Sequence, residues 1–599
     1  MRNKNSKSAS SEKLVALRGA LRARDLAGFV IPRADEHLGE YVPRSAERLH
    51  WISGFSGSAG LAVVLADRAA LFTDGRYQLQ AGAELDPADW QLLHLIEQPP
   101  FAWIAETAGA GARIGYDPWV ISEEQLERAR LAGLIMVACD PSPIDQLWTD
   151  RPAPPVTELV AHPLAFAGQD SASKRAAIAG QLEAAGTDAA IITDPASIAW
   201  LLNIRAGDIP YTPVALGFAL IRTDGTVSLF LDPTRVPDRL RAGLGARVAG
   251  RDRLAAELAA FAGKRVRVDA AGSPAWFAQT LRAAGATVID GPDPCLLPKA
   301  CKNEVEQNGA RRAHLRDAVP LCRFLAWLAR EAPSGSIDEI AAANRLLDLR
   351  CELPEFRGES FAAISGAGPN GAIIHYRVSA ASNRRLGPDE PYLIDSGAQY
   401  PDGTTDVTRT VWIGPGSPPA ELRDRYTRVL RGHIAIATLV FPDGIAGSHI
   451  DALARAPLWR AGLDYDHGTG HGVGSYLSVH EGPAGISRAA RPVKLAPGMI
   501  LSNEPGFYQP GAYGIRLENL LLVRPGALSS PRRFLCFETL TLAPFDRALI
   551  EPALLDAAEI AWLDDYHARV AAAVMPSLAG PDADWLAGAC GPIGGAKVA

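Results

Sequence analysis

The chain has 599 residues, well past the roughly 250–300 at which one hydrophobic core stops growing, so it is expected to fold as several domains. Hydrophobic residues make up 48% and charged ones 21%, a composition that excludes a disordered chain and one embedded in a membrane. A formal charge of −7, from 60 basic and 67 acidic residues, excludes a generally cationic surface built to hold nucleic acid.

The opening stretch, MRNKNSKSASSEKLVALRGAL, is polar and lacks the apolar segment of a secretory signal. No later stretch holds about 18 uninterrupted apolar residues, the length a spanning helix needs. A cytoplasmic location without membrane contact is therefore expected. Cys139, Cys295, Cys301, Cys322, Cys351, Cys536 and Cys590 are scattered and form no C-x-x-C pair, which suits reduced thiols and leaves no structural zinc site.

Two regions follow that read as distant copies of each other. The first runs through LAGFVIPRADEH and LHWISGFSGSAGLAVVLADRAALFTDGRY, the second through DAAIITDPASIAWLLNIRAGDIPYTPVALGFALIRTDGTVSLFLD. Each places an apolar strand before a Trp-led segment (Trp51, Trp200) and a hairpin ending in Leu-Phe-x-Asp (Asp74, Asp232). Helical patterns such as 171–185 and 254–262 alternate with the strands, so 1–150 and 151–300 each read as an α/β domain.

The link DGPDPCLLPKACKN leads into a helix for which Asn303 is the N-cap and Glu306 completes a capping box. From near residue 300 the pattern becomes α+β: helices over 304–331 and 337–350, hairpins, a helix near 419–441, more hairpins and a helix around 556–573. An extension from about 526 ends in PSLAGPDADWLAGACGPIGGAKVA, whose Gly, Pro and Ala content reads as a partly disordered tail.

The chemistry concentrates in this last region. In YLIDSGAQYPDGTTDVTRTVWIG two β-type runs flank the turn residues Pro401, Asp402 and Gly403. Pairing about the midpoint of 395 and 406 sets Asp395 directly opposite Asp406, with Cβ atoms ~4.5–5.5 Å apart. Like charges so placed persist only if one is protonated or a cation lies between them. NEPGFYQPGAYGIRLEN repeats the design, with Glu504 and Glu518 symmetric about Gly511. Between the two lies DHGTGHGVGSYLSVHEGP, in which glycines let His467, His471 and His480 approach a small object closely. Four carboxylates and an imidazole suit two divalent ions, with manganese, cobalt or zinc ahead of magnesium.

Other features read less sharply. Arg516 stands two residues before Glu518 on the same strand face, as an ion-pair partner or as a direct participant. Tyr508 reads as packing. GAGPNG at 366–371 matches G-x-G-x-x-G, but the β-prone AIIHY after it is the wrong context for a dinucleotide site. Neither H-E-x-x-H nor G-x-S-x-G occurs, so hydrolysis has to come from the carboxylates.

Taken together, the two aspartates, the histidine and the two glutamates in this order resemble the pita-bread metallopeptidases. More narrowly, GPNGAIIHY, DSGAQYPDGTTDVTRT, GTGHGVGSYLSVHEGP, EPGFYQPGAYGIRLEN and FETLTLAPFDRALI are similar to the long, three-domain cytosolic Xaa-Pro aminopeptidases over essentially the whole chain. The resemblance implies two creatinase-like α/β domains, 1–150 and 151–300, and a pita-bread catalytic domain over 301–599. It implies that Asp395 binds one metal, that Asp406 and Glu518 bridge both, and that His471 and Glu504 complete the other. A water bridging the ions would become the hydroxide nucleophile, with Glu504 passing its proton to the leaving proline nitrogen. His375, His467 and His480 would line the cleft, orienting substrate and donating to the oxyanion, and Arg516 would join them. Two ions, Mn2+ first and Zn2+ or Co2+ next, peptides with proline in second position, and a homodimer complete the implied picture. Prolidase, which shares metals and mechanism, and a ligand-free binding module on the same fold are the alternatives; all five ligand positions are filled here.

Overall fold

The computed structural model describes residues 4–489, 492–528 and 530–593. The chain divides into two compact units, Met1–Pro163 with Gln169–Leu296, and Leu164–Gly168 with Leu297–Ala599.

The first unit holds two six-stranded sheets. Strands such as Leu61–Leu65 and Ala69–Thr73 are buried along their whole length, as near-continuous apolar runs should be when a sheet is covered on both faces. Numbering the strands of each sheet in chain order, both run 4-3-2-1-5-6. In both, the first three strands pair antiparallel and the remaining pairs are parallel. Trp51 lies on the helix Arg48–Ser53 and Trp200 on Pro195–Leu202, each between the first two strands of its sheet. The internal likeness visible in the sequence is thus a likeness of topology.

In the second unit the helix Glu304–Glu331 begins with the capping box read from Asn303 and Glu306. Glu339–Cys351, Ala420–Ala437, Asp451–Trp459 and Ala557–Val574 are the other long helices. A three-stranded sheet joins Ile364–Ala367, Glu390–Ser396 and Val407–Ile413. A six-stranded antiparallel sheet has Phe534–Thr539, Asn519–Pro525, Ile500–Asn503 and Gly470–Gly472 as its inner strands. Leu422, Tyr426, Val429 and Leu430 pack with Leu563, Tyr566 and Val570 in one core cluster that also takes in Phe507, Ile515 and Leu517. The hairpin that carries the glutamates is therefore seated on apolar helix faces.

Two expectations need correction. In the first hairpin Asp395 pairs with Thr408 rather than Asp406. Tyr400 pairs with Gly403, so the loop is Pro401–Asp402 and the axis lies one residue later than the midpoint of the two aspartates. The shift keeps both on one face, because side chains alternate with a period of two. The Gly/Pro/Ala-rich end is no loose tail over its described part: Gly580–Ala589 is helical, Leu586 is buried and Trp585 packs on the same core. A single well-placed apolar pair outweighs the composition. Residues 594–599 lie outside the described residues. Among the described residues no helix is long and apolar enough to cross a membrane.

Candidate metal centre

Asp395 is the next-to-last residue of a buried strand, Glu390–Ser396, that is paired on both sides, and its carboxylate has little freedom. Its Oδ2 accepts from Arg516 Nη2 at 2.6 Å, while Oδ1 is buried without a hydrogen-bond partner. Asp406 comes just before the strand Val407–Ile413 and is 3% exposed.

The second hairpin folds about Gly511, the axis read from the sequence. Gln509 faces Tyr513 and Gly506 faces Arg516, and the outer ladder resumes with Asn503 opposite Asn519. Glu504 and Glu518 lie between the two ladders, where Leu517 N donates to Pro505 O at 3.2 Å and keeps the same register. Thr408 Oγ1 donates to Glu518 Oε2 at 2.8 Å, which ties one hairpin to the other.

His471 stands on the short strand Gly470–Gly472. Its Nδ1 bonds the Gly472 carbonyl at 3.0 Å, which fixes the proton there and turns Nε2 toward the acids. Nε2 lies 3.4 Å from Asp406 Oδ2 and 3.5 Å from Glu504 Oε1. Asp406, His471 and Glu518 each offer a ligand atom, and these atoms lie within 4.8 Å of one another.

The electrostatics of the set follow from burial and mutual repulsion. Burial, reinforced by the charges of Asp406, Glu504 and Asp395, drives Glu518 well above the usual carboxylate range. Burial also raises Glu504, against the pull of His471 and Arg516. Asp395 is pushed up to about 6 by burial, with Arg516 opposing and Asp406 adding to the rise. For His471, burial works against the charged form but Asp406 and Glu504 outweigh it, and the imidazole reaches about 9. Three buried carboxylates and the half-buried Glu504 beside one arginine, one carboxylate with an unpartnered oxygen, and an imidazole nitrogen aimed among them form a donor set that fits divalent metal ions.

Arg516, Tyr508 and His467 form a chain leading from Asp395, and His480 lies against His471. Arg516 is 2% exposed and donates from Nη1 to Tyr508 Oη at 2.7 Å as well as to Asp395. Tyr508 Oη in turn lies 2.8 Å from His467 Nε2, whose other ring nitrogen bonds Gly468 O at 2.7 Å. Tyr508, read from the sequence as packing, is thus a polar link between Arg516 and His467. The His480 ring meets that of His471 edge-on, centroids 4.4 Å apart, and its neighbour Glu481 is held by buried Lys302 at 2.5 Å. His375 is half-buried in the loop before Tyr376.

Three supports lay outside the sequence reading. Arg409 is fully buried and donates to Glu518 O at 2.6 Å, Asn519 Oδ1 at 2.7 Å, Ala543 O at 2.8 Å and Tyr566 Oη at 3.0 Å. His433, also fully buried, bonds Leu517 O through Nδ1 and accepts from Asn519 Nδ2 through Nε2, both at 3.2 Å. Asp317 accepts from Arg350, Tyr400 and Thr405 behind the first hairpin. No local pattern marks these groups, since each partner lies far along the chain.

Comparison with known proteins agrees with this architecture. Residues 308–525 match metallopeptidase family M24, and 533–593 match the C-terminal region of that peptidase. Residues 13–146 and 150–306 each match the creatinase/prolidase N-terminal domain. The chain is 40% identical over 590 residues to a probable Xaa-Pro aminopeptidase P of Neosartorya fischeri, covering 94% of this chain and 89% of the relative. It is 39% identical over 612 residues to aminopeptidase P2 of Arabidopsis thaliana, covering 93% and 85%. The X-prolyl aminopeptidase of Caenorhabditis elegans, described as a cytosolic enzyme with a di-nuclear active site, superposes with a TM-score of 0.92 at 34% identity, over 97% of this chain and 99% of its own. A Xaa-Pro dipeptidase from Bacillus anthracis shares the fold over 63% of this chain, with a TM-score of 0.51 and 22% identity. With two creatinase/prolidase-type domains ahead of its peptidase domain, the chain belongs to metallopeptidase family M24, in the branch of the Xaa-Pro aminopeptidases.

Proposed function

We propose that the protein removes the first residue from peptides whose second residue is proline. Asp395, Asp406, His471, Glu504 and Glu518 would hold two divalent ions, Mn2+ foremost. The observation that carries this reading is the buried set of mutually repelling carboxylates with His471 Nε2 turned among them. The ions, when bound, supply Lewis acidity and bring the pKa of a water down toward about 7, so that hydroxide is available near neutrality.

The chain's own groups do the rest. Arg516 holds Asp395 through Nη2 and keeps its ligand geometry fixed. Glu504, whose side chain is 18% exposed, is placed to take a proton at its carboxylate and deliver it to the departing proline nitrogen. His467 has both ring nitrogens engaged, by Tyr508 and by Gly468, so it braces the wall, while His480 and His375 orient the substrate and donate to the carbonyl oxygen. The two creatinase-type domains, taken as 1–150 and 151–300, favour an aminopeptidase over a dipeptidase, because a probable Xaa-Pro aminopeptidase P aligns over 94% of the chain. Cytoplasmic location and a homodimer accompany the proposal, the latter checked by light scattering on the purified protein.

The test is a Mn2+-supplemented assay of Arg-Pro-Pro against Gly-Pro, with Asp406→Ala as control. Release of arginine with little cleavage of Gly-Pro supports the proposal. Preference for Gly-Pro turns it to prolidase, and bound-metal analysis without ions or activity turns it to a binding module.

A further inference from the structure

The helix Glu339–Cys351 begins on a carboxylate that the proposed reaction does not use. Glu339 is 0% exposed, and its partners are hydrogen-bond donors rather than a lysine or arginine side chain. Oε1 accepts from Ala367 N at 2.8 Å and from Asn370 Nδ2 at 2.9 Å. Oε2 accepts from Tyr376 Oη at 2.9 Å and from Arg384 N at 3.0 Å, with Asn370 Nδ2 again at 3.0 Å. The main chain of the same residue adds two bonds, Glu339 N to Arg384 O at 3.0 Å and Ser365 Oγ to Glu339 O at 2.7 Å. A buried anion persists only where its lone pairs are met, and its place in the first turn of a helix adds a favourable field. Burial above all, partly offset by Ser382 and joined by the Glu339 charge, holds the Tyr376 phenol above its usual range, so it remains a donor.

Every one of these donors belongs to one segment, 365–384, and that segment carries His375 beside Tyr376. Two contacts pin it to the metal centre. Ile364 at its root pairs with Asp395. Further on, a Cβ on Gly514 would lie 1.8 Å from Gly371 O, so the Gly368–Ala372 turn presses directly on the strand Tyr513–Arg516. The same closeness explains the G-x-G-x-x-G spacing: a Cβ on Gly366 would lie 2.8 Å from Gly371 N, and Gly368 has φ +49°. Those glycines serve a tight turn, with Glu339 as the anchor inside it.

We propose that Glu339 is a positioning residue, its carboxylate gathering the 367–384 loop into the one conformation that presents His375 to the substrate. The inference rests on the reading of His375 as a substrate-orienting group. Glu339 itself touches neither substrate nor metal; it acts through the loop.

The test uses the full-length, Mn2+-loaded protein. Glu339→Gln keeps the volume but turns one acceptor into a donor that faces other donors. It is expected to lower kcat/KM for an Xaa-Pro-Xaa peptide roughly 10- to 100-fold, the scale of a small misplacement of a reacting partner, with bound metal unchanged. Hydrogen exchange over 367–386 rises in the same variant while protection elsewhere holds. In a His375→Ala background the further loss from Glu339→Gln shrinks to less than about twofold, since the group being positioned is gone. Tyr376→Phe, which removes one donor to Glu339 along with the contacts of the phenol to Asn370 and Ser382, gives a smaller loss in the same direction and serves if Glu339→Gln fails to fold. Equal losses with and without His375, or unchanged exchange over 367–386, overturn the inference while leaving the role of His375 standing. A His375→Ala variant with full kcat/KM overturns the reading of the histidine itself and the inference with it.

Discussion

The two hairpins that supply the carboxylates reach one pocket by different routes. In the first, strands Glu390–Ser396 and Val407–Ile413 set Asp395 against Thr408, and Asp406 sits beyond the ladder's end. In the second, Glu504 and Glu518 share the hairpin's axis at Gly511 and lie in a gap between two ladders. Their supports differ as well. Behind the first is the buried Asp317–Arg350 ion pair, 2.9 Å apart, and behind the second is His433, bonded to Leu517 O and to Asn519, whose Oδ1 also takes Arg409. An acid pair can thus be held by offset pairing braced with an ion pair, or by symmetric pairing braced with an imidazole and a guanidinium that bond backbone and amide oxygens.

The largest expected effect treats the two alike. Asp406→Ala, from the first hairpin, and Glu518→Ala, from the second, are each expected to lower peptidase activity by about three orders of magnitude, since several kcal/mol of Lewis-acid stabilisation go with the ions. In metal-free protein the sign reverses: Glu518→Gln removes a repelled buried charge and raises the melting temperature in chelator. A falling Tm there would count against the excess of negative charge.

Next comes the link between the hairpins. Thr408→Val deletes the hydroxyl that holds Glu518 Oε2 and is expected to weaken metal affinity roughly 10- to 100-fold, measured by titration calorimetry, with the fold intact.

The supports separate the hairpins by pH. Burial above all, with the Arg409 charge added, lowers His433 to about 3, below its ordinary value of 6.5. A base with a depressed folded pKa stabilises fully above 6.5 and loses that contribution as pH falls toward 3, because the unfolded chain then binds the extra proton. Asp317 is also depressed, burial being outweighed by Arg350, so its contribution fails only below the ordinary carboxylate range. Acid should therefore loosen the second hairpin first. His433→Asn is expected to flatten the stability loss between pH 7 and pH 5 by roughly 2 kcal/mol in denaturant titrations. An unchanged slope would remove His433 from that role.

The smallest effect lies at the turns. Gly511 has φ +72° and open space around it, so Gly511→Ala meets only backbone strain and is expected to cost roughly 1 kcal/mol of stability with turnover unchanged.

Much of this architecture was legible because it is local. The capping box at Asn303 and Glu306 needs only three residues of spacing, and Gly511 marks the second axis through its own backbone conformation. The first axis was misplaced because helix Glu304–Glu331 chooses it from outside. A Cβ on Gly403 would lie 2.9 Å from Ala313 Cβ, and Asp402 is held by Arg316 at 2.9 Å, so the turn closes where that helix can receive it. Tyr508 was taken for packing because its partner His467 lies 41 residues away. Arg409, His433 and Glu339 share that trait. Their polar partners are assembled by the fold, and no window of sequence contains them.

Arg409 has a consequence for the end of the chain. Its guanidinium spans from Glu518 O on one side to Ala543 O and Tyr566 Oη on the other, stacked 4.4 Å from the ring of Phe545. Proteolytic clipping near residue 533 would strip half of that cage and leave a stranded cation behind a ligand strand. Trimming there would read out as lost metal retention rather than as a harmless shortening.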